Sequence, residues 1–128
     1  MNKSKRTLAH HDSRGYIYDL IDGELISSVG IVTFTKNAIR GNHIHNETSQ
    51  WNYIISGEIL VVTEKDGVSS SEVFVTGELF LVPPGEAHAM KAISNSEMLV
   101  LTLGPRAGKD FEKDTFRLEV PLISSEKA

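Results

Sequence analysis

The sequence contains no cysteine, which excludes disulfide bonds, thiolate metal ligands and cysteine nucleophiles together. It has no apolar run near the roughly 18 residues needed to cross a bilayer, and no apolar stretch follows the polar opening MNKSKRTLAHHD as a secretory signal requires. Neither charge sign is in large excess: 13 Lys and Arg stand against 17 Asp and Glu. We therefore expect a cytoplasmic protein that binds neither nucleic acid nor membrane.

Length and apolar content predict one domain, because 128 residues with 40% hydrophobic side chains can fill a single ordinary core. Short apolar runs rich in Val, Ile, Leu and Phe alternate with Gly, Pro, Asn and Asp turns, which is typical of an all-β sandwich or barrel. We expect a loosely ordered lead-in over 1–12, a barrel over 13–122 and a tail over 123–128. The runs are YIYDLI (16–21), SVGIVTF (28–34), WNYIISGEILVV (51–62), EVFV (72–75), LFLVP (79–83), AHAMKAI (87–93), MLVLTL (98–103) and TFRLEV (115–120), with a loop or one helical turn over 105–115.

Two histidines, His43 and His45, are separated by one residue in the stretch RGNHIHNETSQ. On a strand such residues face the same way. His88 follows the Pro83-Pro84-Gly85 corner, which ends one strand and lets the histidine begin another. A lone His-x-His pair is more often a hydrogen-bonded surface or core pair than a metal site, but the third histidine shifts the balance.

A divalent metal ion is one way to satisfy buried imidazoles, since each unmet polar group costs roughly 1–3 kcal/mol. Three histidines and the carboxamide oxygen of Gln50 could hold such an ion and leave coordination positions open for catalysis. The sequence does not separate Zn, Fe, Mn and Ni, and it indicates no organic cofactor.

At this point the sequence resembles the cupin superfamily. The first cupin motif reads Gly, five residues, His-x-His, three or four residues, Glu, six residues, Gly. His43, His45 and Gly57 fit that spacing; Gln50 replaces the usual glutamate, and Asn37 replaces the leading glycine.

The second cupin motif reads Gly, five residues, Pro-x-Gly, two residues, His, three residues, Asn. Gly77, Pro83-x-Gly85 and His88 fit it, and Ala92 replaces the final asparagine. The resemblance implies a single-domain RmlC-like jelly-roll barrel, also called a double-stranded β-helix. It also places His43, His45, Gln50 and His88 at the metal-ligand positions. We expect a homodimer, because open edge strands of such domains are usually covered by a partner.

A narrower resemblance is to the sugar-nucleotide 3,4-ketoisomerases and to cupin domains of polysaccharide biosynthesis. The first motif, from Arg40 to Gln50, and the stretch Asp12-Ser13-Arg14-Gly15 are similar to theirs. The likeness implies that His43 and His45 move protons beside a sugar ketone, with Arg40 contributing to catalysis and, with Arg14, holding a nucleotide-linked sugar. Two features depart from the ketoisomerase pattern: those enzymes lack the clean Pro-x-Gly-x-x-His second motif found here, and they carry a tyrosine-rich stretch where this chain reads KDFEKDTFRL.

The sequence thus predicts a small isomerase or epimerase that works by proton transfer on a keto sugar, with or without help from a metal ion. Two alternatives stay open: a metal-dependent oxygenase using the same four ligand positions, and a non-catalytic module that binds a metal or a small ligand.

Overall fold

The computed structural model describes residues 2–105 and 113–125 as two packed antiparallel sheets and a separate hairpin. The first sheet has the strand order β1-β9-β6-β11-β4, the second β12-β5-β10-β7-β8, and the hairpin pairs β2 with β3. The strands are β1 (Lys3–Lys5), β2 (Thr7–Asp12), β3 (Gly15–Asp19), β4 (Ser28–Phe34), β5 (Ile39–Ile44), β6 (Ser49–Ser56), β7 (Glu58–Lys65), β8 (Val68–Val75), β9 (Glu78–Val82), β10 (Ala87–Ala92), β11 (Ser96–Leu103) and β12 (Phe116–Arg117). The predicted all-β jelly-roll class is confirmed.

The described part of the chain has no helix long and apolar enough to cross a membrane.

The interior between the sheets changes character along its length. Along β6 the inward-facing side chains run from Ile54 through Asn52 to Gln50, and all three are buried. Ile54 belongs to an apolar cluster with residues such as Phe34, Phe74, Phe80 and Met98. The opposite end contains buried polar side chains, namely His45, Thr48, Gln50, Asn52, His88, Thr102 and Asp114. One end of the barrel therefore provides the apolar core, and the other provides a polar interior.

The N-terminal residues differ from the expected loose lead-in. Lys3–Lys5 pair with β9, and Thr7–Asp12 form a hairpin with β3. Lys3 makes ion pairs with Glu72 and Glu78 at 3.1 and 3.2 Å. Charged side chains are common on edge strands because they discourage further pairing, so polar composition concealed strands here.

The C-terminal expectations are met only in part. Of the apolar run at 115–120, only Phe116–Arg117 form a strand. Residues 106–112, most of the predicted loop or helical turn, lie outside the described residues. Leu122 and Ile123, at the predicted border between barrel and tail, are both bonded to the side chain of Asn42.

Gly57 divides the long run WNYIISGEILVV into β6 and β7. Its φ is 93°, a region that L-residues rarely adopt. A Cβ at this position would lie 2.6 Å from the backbone oxygen of Asn95 and would also collide with the side chain of Ser96. The last glycine of the first cupin motif is therefore required both by backbone conformation and by the close approach of the neighbouring turn.

We predict that Gly57→Ala destabilises the fold more than Gly67→Ala does. Gly67 has a φ of 78° and no atom within 4 Å of an added Cβ, so its substitution costs backbone strain of about 1 kcal/mol. Gly57→Ala adds overlap with backbone, which we expect to bring the loss to about 2–4 kcal/mol. Urea unfolding of both variants measures the difference; equal losses would contradict the steric explanation.

Candidate functional site

A β-bulge in β5 prepares the position of His43. His88 pairs with His43 and Ala89 pairs with Gly41, so Asn42 is an extra residue on this strand. Gly41 and Asn42 have φ values of 88° and 56°, as such bulges require. A Cβ on Gly41 would lie 2.9 Å from the backbone oxygen of His88. The Gly-Asn pair thus lets β5 approach β10 closely and sets His43 opposite His88.

Asn42 also fastens the C-terminal segment to this bulge. Its side-chain nitrogen donates to the oxygen of Ile123, and its side-chain oxygen accepts from the N–H groups of Leu122 and Ile123. Its backbone oxygen accepts from Leu118. The motif residue beside the histidines is therefore structural, and it holds the chain that follows β12.

The three predicted histidines converge. The Nε2 atoms of His43 and His88 are 3.0 Å apart. The ring centroid of His45 lies 4.6 Å from that of His43 and 5.2 Å from that of His88. One ligand nitrogen from each ring lies within 4.8 Å of the others. His45 and His88 are buried, and His43 is half-buried.

Asp114 fixes the tautomer of His45. The Nδ1 of His45 lies 2.7 Å from the backbone oxygen of Asp114. A carbonyl oxygen only accepts, so Nδ1 must carry the hydrogen and donate it. In the neutral ring, Nε2 is then the nitrogen with the lone pair, which is the atom a proton-transfer base or a metal ligand needs.

The carboxylate of Asp114 organises the turn after β5. It accepts from the N–H groups of Asn46 and Glu47 at 2.8 and 2.9 Å, and from the hydroxyl of Thr48 at 2.7 Å. Burial alone would raise the pKa of Asp114, but the hydrogen bonds from Thr48, Glu47 and Asn46 outweigh it and lower this pKa below its ordinary 3.8. One residue thus holds both the His45 ring and the turn leading to Gln50.

We predict that Asp114→Asn lowers the free energy of unfolding at pH 7 by about 1.5–3 kcal/mol, because an amide nitrogen would face N–H or O–H donors. The pKa of Asp114 is lower in the folded than in the unfolded chain, so its stabilisation is complete above pH 3.8 and is lost as the pH falls towards the folded pKa. Urea unfolding of both proteins from pH 7 to pH 3 should show the gap narrowing below pH 4. A gap independent of pH would contradict this role for the carboxylate.

A cavity of about 390 Å³ opens beside the histidines. We call it the histidine cavity; its lining residues are Val32, Ile39, Arg40, Gly41, His43, His45, Gln50, Met90, Met98, Thr115 and Arg117. His88 contacts His43 from outside this lining. None of these described lining residues is acidic, and two are arginines, so the cavity is electrostatically suited to an anionic ligand.

Arg40 and Arg117 line the histidine cavity, whereas Arg14 does not. Arg40 lines the histidine cavity, with Nε and one terminal nitrogen 3.2 and 3.0 Å from the oxygen of Thr33. Arg117 lines it too, because β12 pairs with β5 and sets Arg117 opposite His43. Arg14 lies on the β2–β3 turn with its side chain 86% exposed and bonded to Asp12. The structure therefore does not bring Arg14 to the histidines within one chain.

Sequence reasoning missed Arg117, Asp114 and the role of Asn42. Arg117 sits in a strand of two residues, and Asp114 depends on contacts about 66–69 positions away along the chain. Neither position carries a local signal. Asn42 stands inside the quoted RGNHIH motif, where an asparagine beside a glycine is a usual indication of a bulge or turn.

The donor set fits a divalent metal ion. Three imidazoles converge, and the Oε1 of Gln50 is buried with no hydrogen-bond partner among the described residues. Neutral imidazoles with one amide oxygen suit Zn, Fe, Mn or Ni and would leave the ion with its full positive charge.

A sequence model of the family described as Cupin matches residues 21–111. Comparison with curated proteins found no match.

Several solved structures share the fold. A 3,4-ketoisomerase from Helicobacter canadensis superposes with a TM-score of 0.73 at 20% identity, covering 91% of each chain. The QdtA 3,4-ketoisomerase from Thermoanaerobacterium thermosaccharolyticum, in complex with TDP, gives 0.70 at 20% identity, covering 91% of this chain and 88% of that one. The 3,5-epimerase RmlC from Legionella pneumophila, in complex with dTDP-4-keto-L-rhamnose, gives 0.73 at 14% identity, covering 91% and 71%. Identities this low establish a shared fold and leave activity to be argued from the site.

Proposed function

The chain belongs to the cupin family, and we propose that it is a cytoplasmic isomerase or epimerase that moves a proton beside the ketone of a nucleotide-linked sugar. The observation that carries the proposal is the histidine cavity, where histidines and two arginines meet and the described lining residues include no carboxylate. Sugar-nucleotide epimerases and ketoisomerases with the same fold, including complexes with TDP and with a dTDP-keto sugar, support the substrate class.

His45 is suited to the role of base. Its Nδ1–H is held by Asp114, so its Nε2 lone pair can take the proton from the carbon next to the ketone. The C–H electron pair forms a C=C bond with the carbonyl carbon while the carbonyl π pair moves to the carbonyl oxygen, which gives an enediolate. Protonation of the former carbonyl carbon, together with transfer of the adjacent hydroxyl proton to the former carbonyl oxygen, moves the ketone along the ring, and returning the proton to the other face of the same carbon epimerises it.

His43 is suited to the role of acid, because its ring shares a hydrogen with His88. Between the two Nε2 atoms, 3.0 Å apart, one nitrogen donates and the other accepts. His88 therefore orients the ring of His43. In this proposal His43 and His45 form the acid–base pair on either side of the reacting carbons.

The arginines supply the anion-binding part. Each guanidinium has five donors in a planar fork, and the two Arg40 nitrogens bonded to Thr33 leave other donors of that group for a phosphate. We propose that Arg40 and Arg117 bind the diphosphate at the cavity. The substrate-binding role of Arg14 remains a prediction. Arg14 forms an ion pair with Asp12 and lowers the pKa of the Asp12 carboxyl to about 2.

A metal-assisted reaction is the second candidate, favoured by the convergence of His43, His45 and His88. An ion held by these residues and Gln50 would polarise the substrate carbonyl. The same ligands would serve a metal-dependent oxygenase, whereas a binding module would need no turnover at all.

We predict that His45→Asn lowers kcat by about 10²-fold or more, because general-base catalysis typically contributes that much. Asparagine keeps an N–H for Asp114 but offers no basic nitrogen. Deuterium incorporation from D₂O into a panel of nucleotide-linked keto sugars, followed by NMR, measures the proton transfer directly. His11→Asn, on the exposed hairpin, is the matched control and should keep full activity.

Metal removal separates the candidates in the same assay. Activity that survives EDTA treatment supports metal-free proton transfer, and activity restored by one added ion supports metal assistance. Iron-dependent oxygen uptake without deuterium exchange would overturn the isomerase proposal in favour of an oxygenase. Ligand binding that persists in His45→Asn, with no turnover by the wild type, would identify a binding module.

We also propose that the protein is a homodimer joined through the outer face of the first sheet. The register aligns Val29, Leu101, Trp51 and Leu81 in one row across four strands, and Ile31, Leu99 and Tyr53 in the next. Val29 and Ile31, on the edge strand β4, are 64% and 62% exposed. A continuous apolar face ending in an open strand edge suits a second copy of the same surface.

We predict that Ile31→Glu yields a monomer, because two carboxylates would be brought into an apolar interface around the twofold axis. Val68→Glu is the matched control, since Val68 is 69% exposed on the opposite sheet. Light scattering after size-exclusion chromatography measures the mass. A dimer that persists in Ile31→Glu would place the interface elsewhere.

A further inference from the structure

Asn52 lies two residues after Gln50 on β6, with both side chains directed into the barrel and at most 2% exposed. The Nε2 of Gln50 is 2.7 Å from the Oδ1 of Asn52. Both residues are uncharged, so which end of each amide faces the other is decided by their remaining partners.

The orientation of the Asn52 amide follows from two backbone carbonyls. Its Nδ2 lies 3.2 Å from the oxygen of Gln50 and 3.3 Å from the oxygen of Phe80. Carbonyl oxygens only accept, so the NH₂ end of Asn52 must face them. The Oδ1 end of Asn52 then faces Gln50 and requires a donor there.

The same reasoning orients Gln50. Its NH₂ group must supply the donor to Asn52, which turns Oε1 the other way. That oxygen is buried without a hydrogen-bond partner among the described residues, and Gln50 lines the histidine cavity. A buried acceptor without a partner costs roughly 1–3 kcal/mol, which a ligand in the cavity can relieve.

We infer that Asn52 is a positioning residue that holds the Gln50 amide with its oxygen available to the ligand, so that the site accepts an electron-pair acceptor at this point. A sugar hydroxyl hydrogen and a divalent cation both have that chemistry. The orientation itself stands on the hydrogen bonds alone; the sugar hydroxyl as ligand rests on the proposed function.

This pairing explains why glutamine replaces the glutamate usual at this position of the cupin motif. A carboxylate at residue 50 would have no hydrogen to offer Asn52 and would set two acceptor oxygens at the distance of a hydrogen bond. Rotating Asn52 to compensate would withdraw its donors from Gln50 and Phe80. The glutamine is therefore matched to Asn52, and it adds no negative charge to the described lining of the cavity.

NMR of the Gln50 side-chain amide in the metal-free wild-type protein tests the orientation. We expect one amide proton shifted downfield, with exchange at least about 10-fold slower than in free glutamine, because it is donated to a buried oxygen. Both protons exchanging at the rate of free glutamine would overturn the inference. No variant is needed for this readout, so a folding defect cannot obscure it.

Two substitutions at residue 52 then assign the effect. Asn52→Asp keeps an acceptor for Gln50 and should keep the downfield signal, whereas Asn52→Leu removes the acceptor and should abolish it. Ser96→Ala is the structural control, because Ser96 also donates from a buried side chain to two backbone carbonyls, those of Glu58 and Ser94. A Gln50 signal unchanged in Asn52→Leu, or lost in Ser96→Ala, would contradict a specific role for Asn52.

Titrations identify the ligand. Zn²⁺ added alone to EDTA-treated protein should shift the Gln50 amide and the three histidine rings together if the acceptor is a cation. A nucleotide-linked keto sugar should shift the Gln50 amide in metal-free protein if it is a hydroxyl. No shift with either probe would overturn the ligand role of Gln50, whereas a shift without turnover would overturn only the proposed isomerase activity.

Discussion

The site depends on the way that Asp114 ties β12 to the turn after β5. The backbone oxygen of Asp114 fixes the hydrogen of His45, while its carboxylate holds the turn at Asn46–Thr48. The hydrogen bonds to the carboxylate are charge-assisted, and such bonds are roughly twice as strong as neutral ones. Because all of them converge on one residue, the ring orientation of His45 and the path of the chain into β6 are set together.

Burial of apolar side chains at one end of the barrel stabilises the fold enough to tolerate buried polar groups at the other end. Ile54, Phe74 and Phe80 are buried there, and each such side chain contributes roughly 1.5–3 kcal/mol. Burying His45, Gln50 and His88 at the polar end costs part of that stabilisation, because these polar side chains are removed from water. Neighbouring groups that can only accept, or only donate, a hydrogen bond fix the orientation of the buried polar side chains. Particular atoms of these side chains are therefore directed at the cavity. This division lets a small barrel carry a reactive interior.

Sequence alone predicted the elements whose signals are local or periodic. The run SVGIVTF coincides with β4, and the spacing of His43, His45 and His88 predicted that their rings meet. Signals that depend on distant partners were missed. The strand at Lys3–Lys5 is polar and gains its stability from β9 and from acidic residues far along the chain. Arg14 lies in a recognisable sequence motif and Arg117 does not. Of these two arginines it is Arg117 that lines the cavity, because β12 pairs with β5 and places it there.

Glutamine in place of the usual glutamate at residue 50 changes the electrostatics of the histidine cavity. A carboxylate at residue 50 would lie in the same cavity as Arg40 and Arg117 and would offset their charge. With an amide there, no acidic residue of the described lining offsets the charge of the arginines, which favours a ligand with its own negative charge, as a diphosphate has. Glutamine at residue 50 therefore preserves the positive character of the described lining, and its hydrogen bond to Asn52 requires an amide at this position.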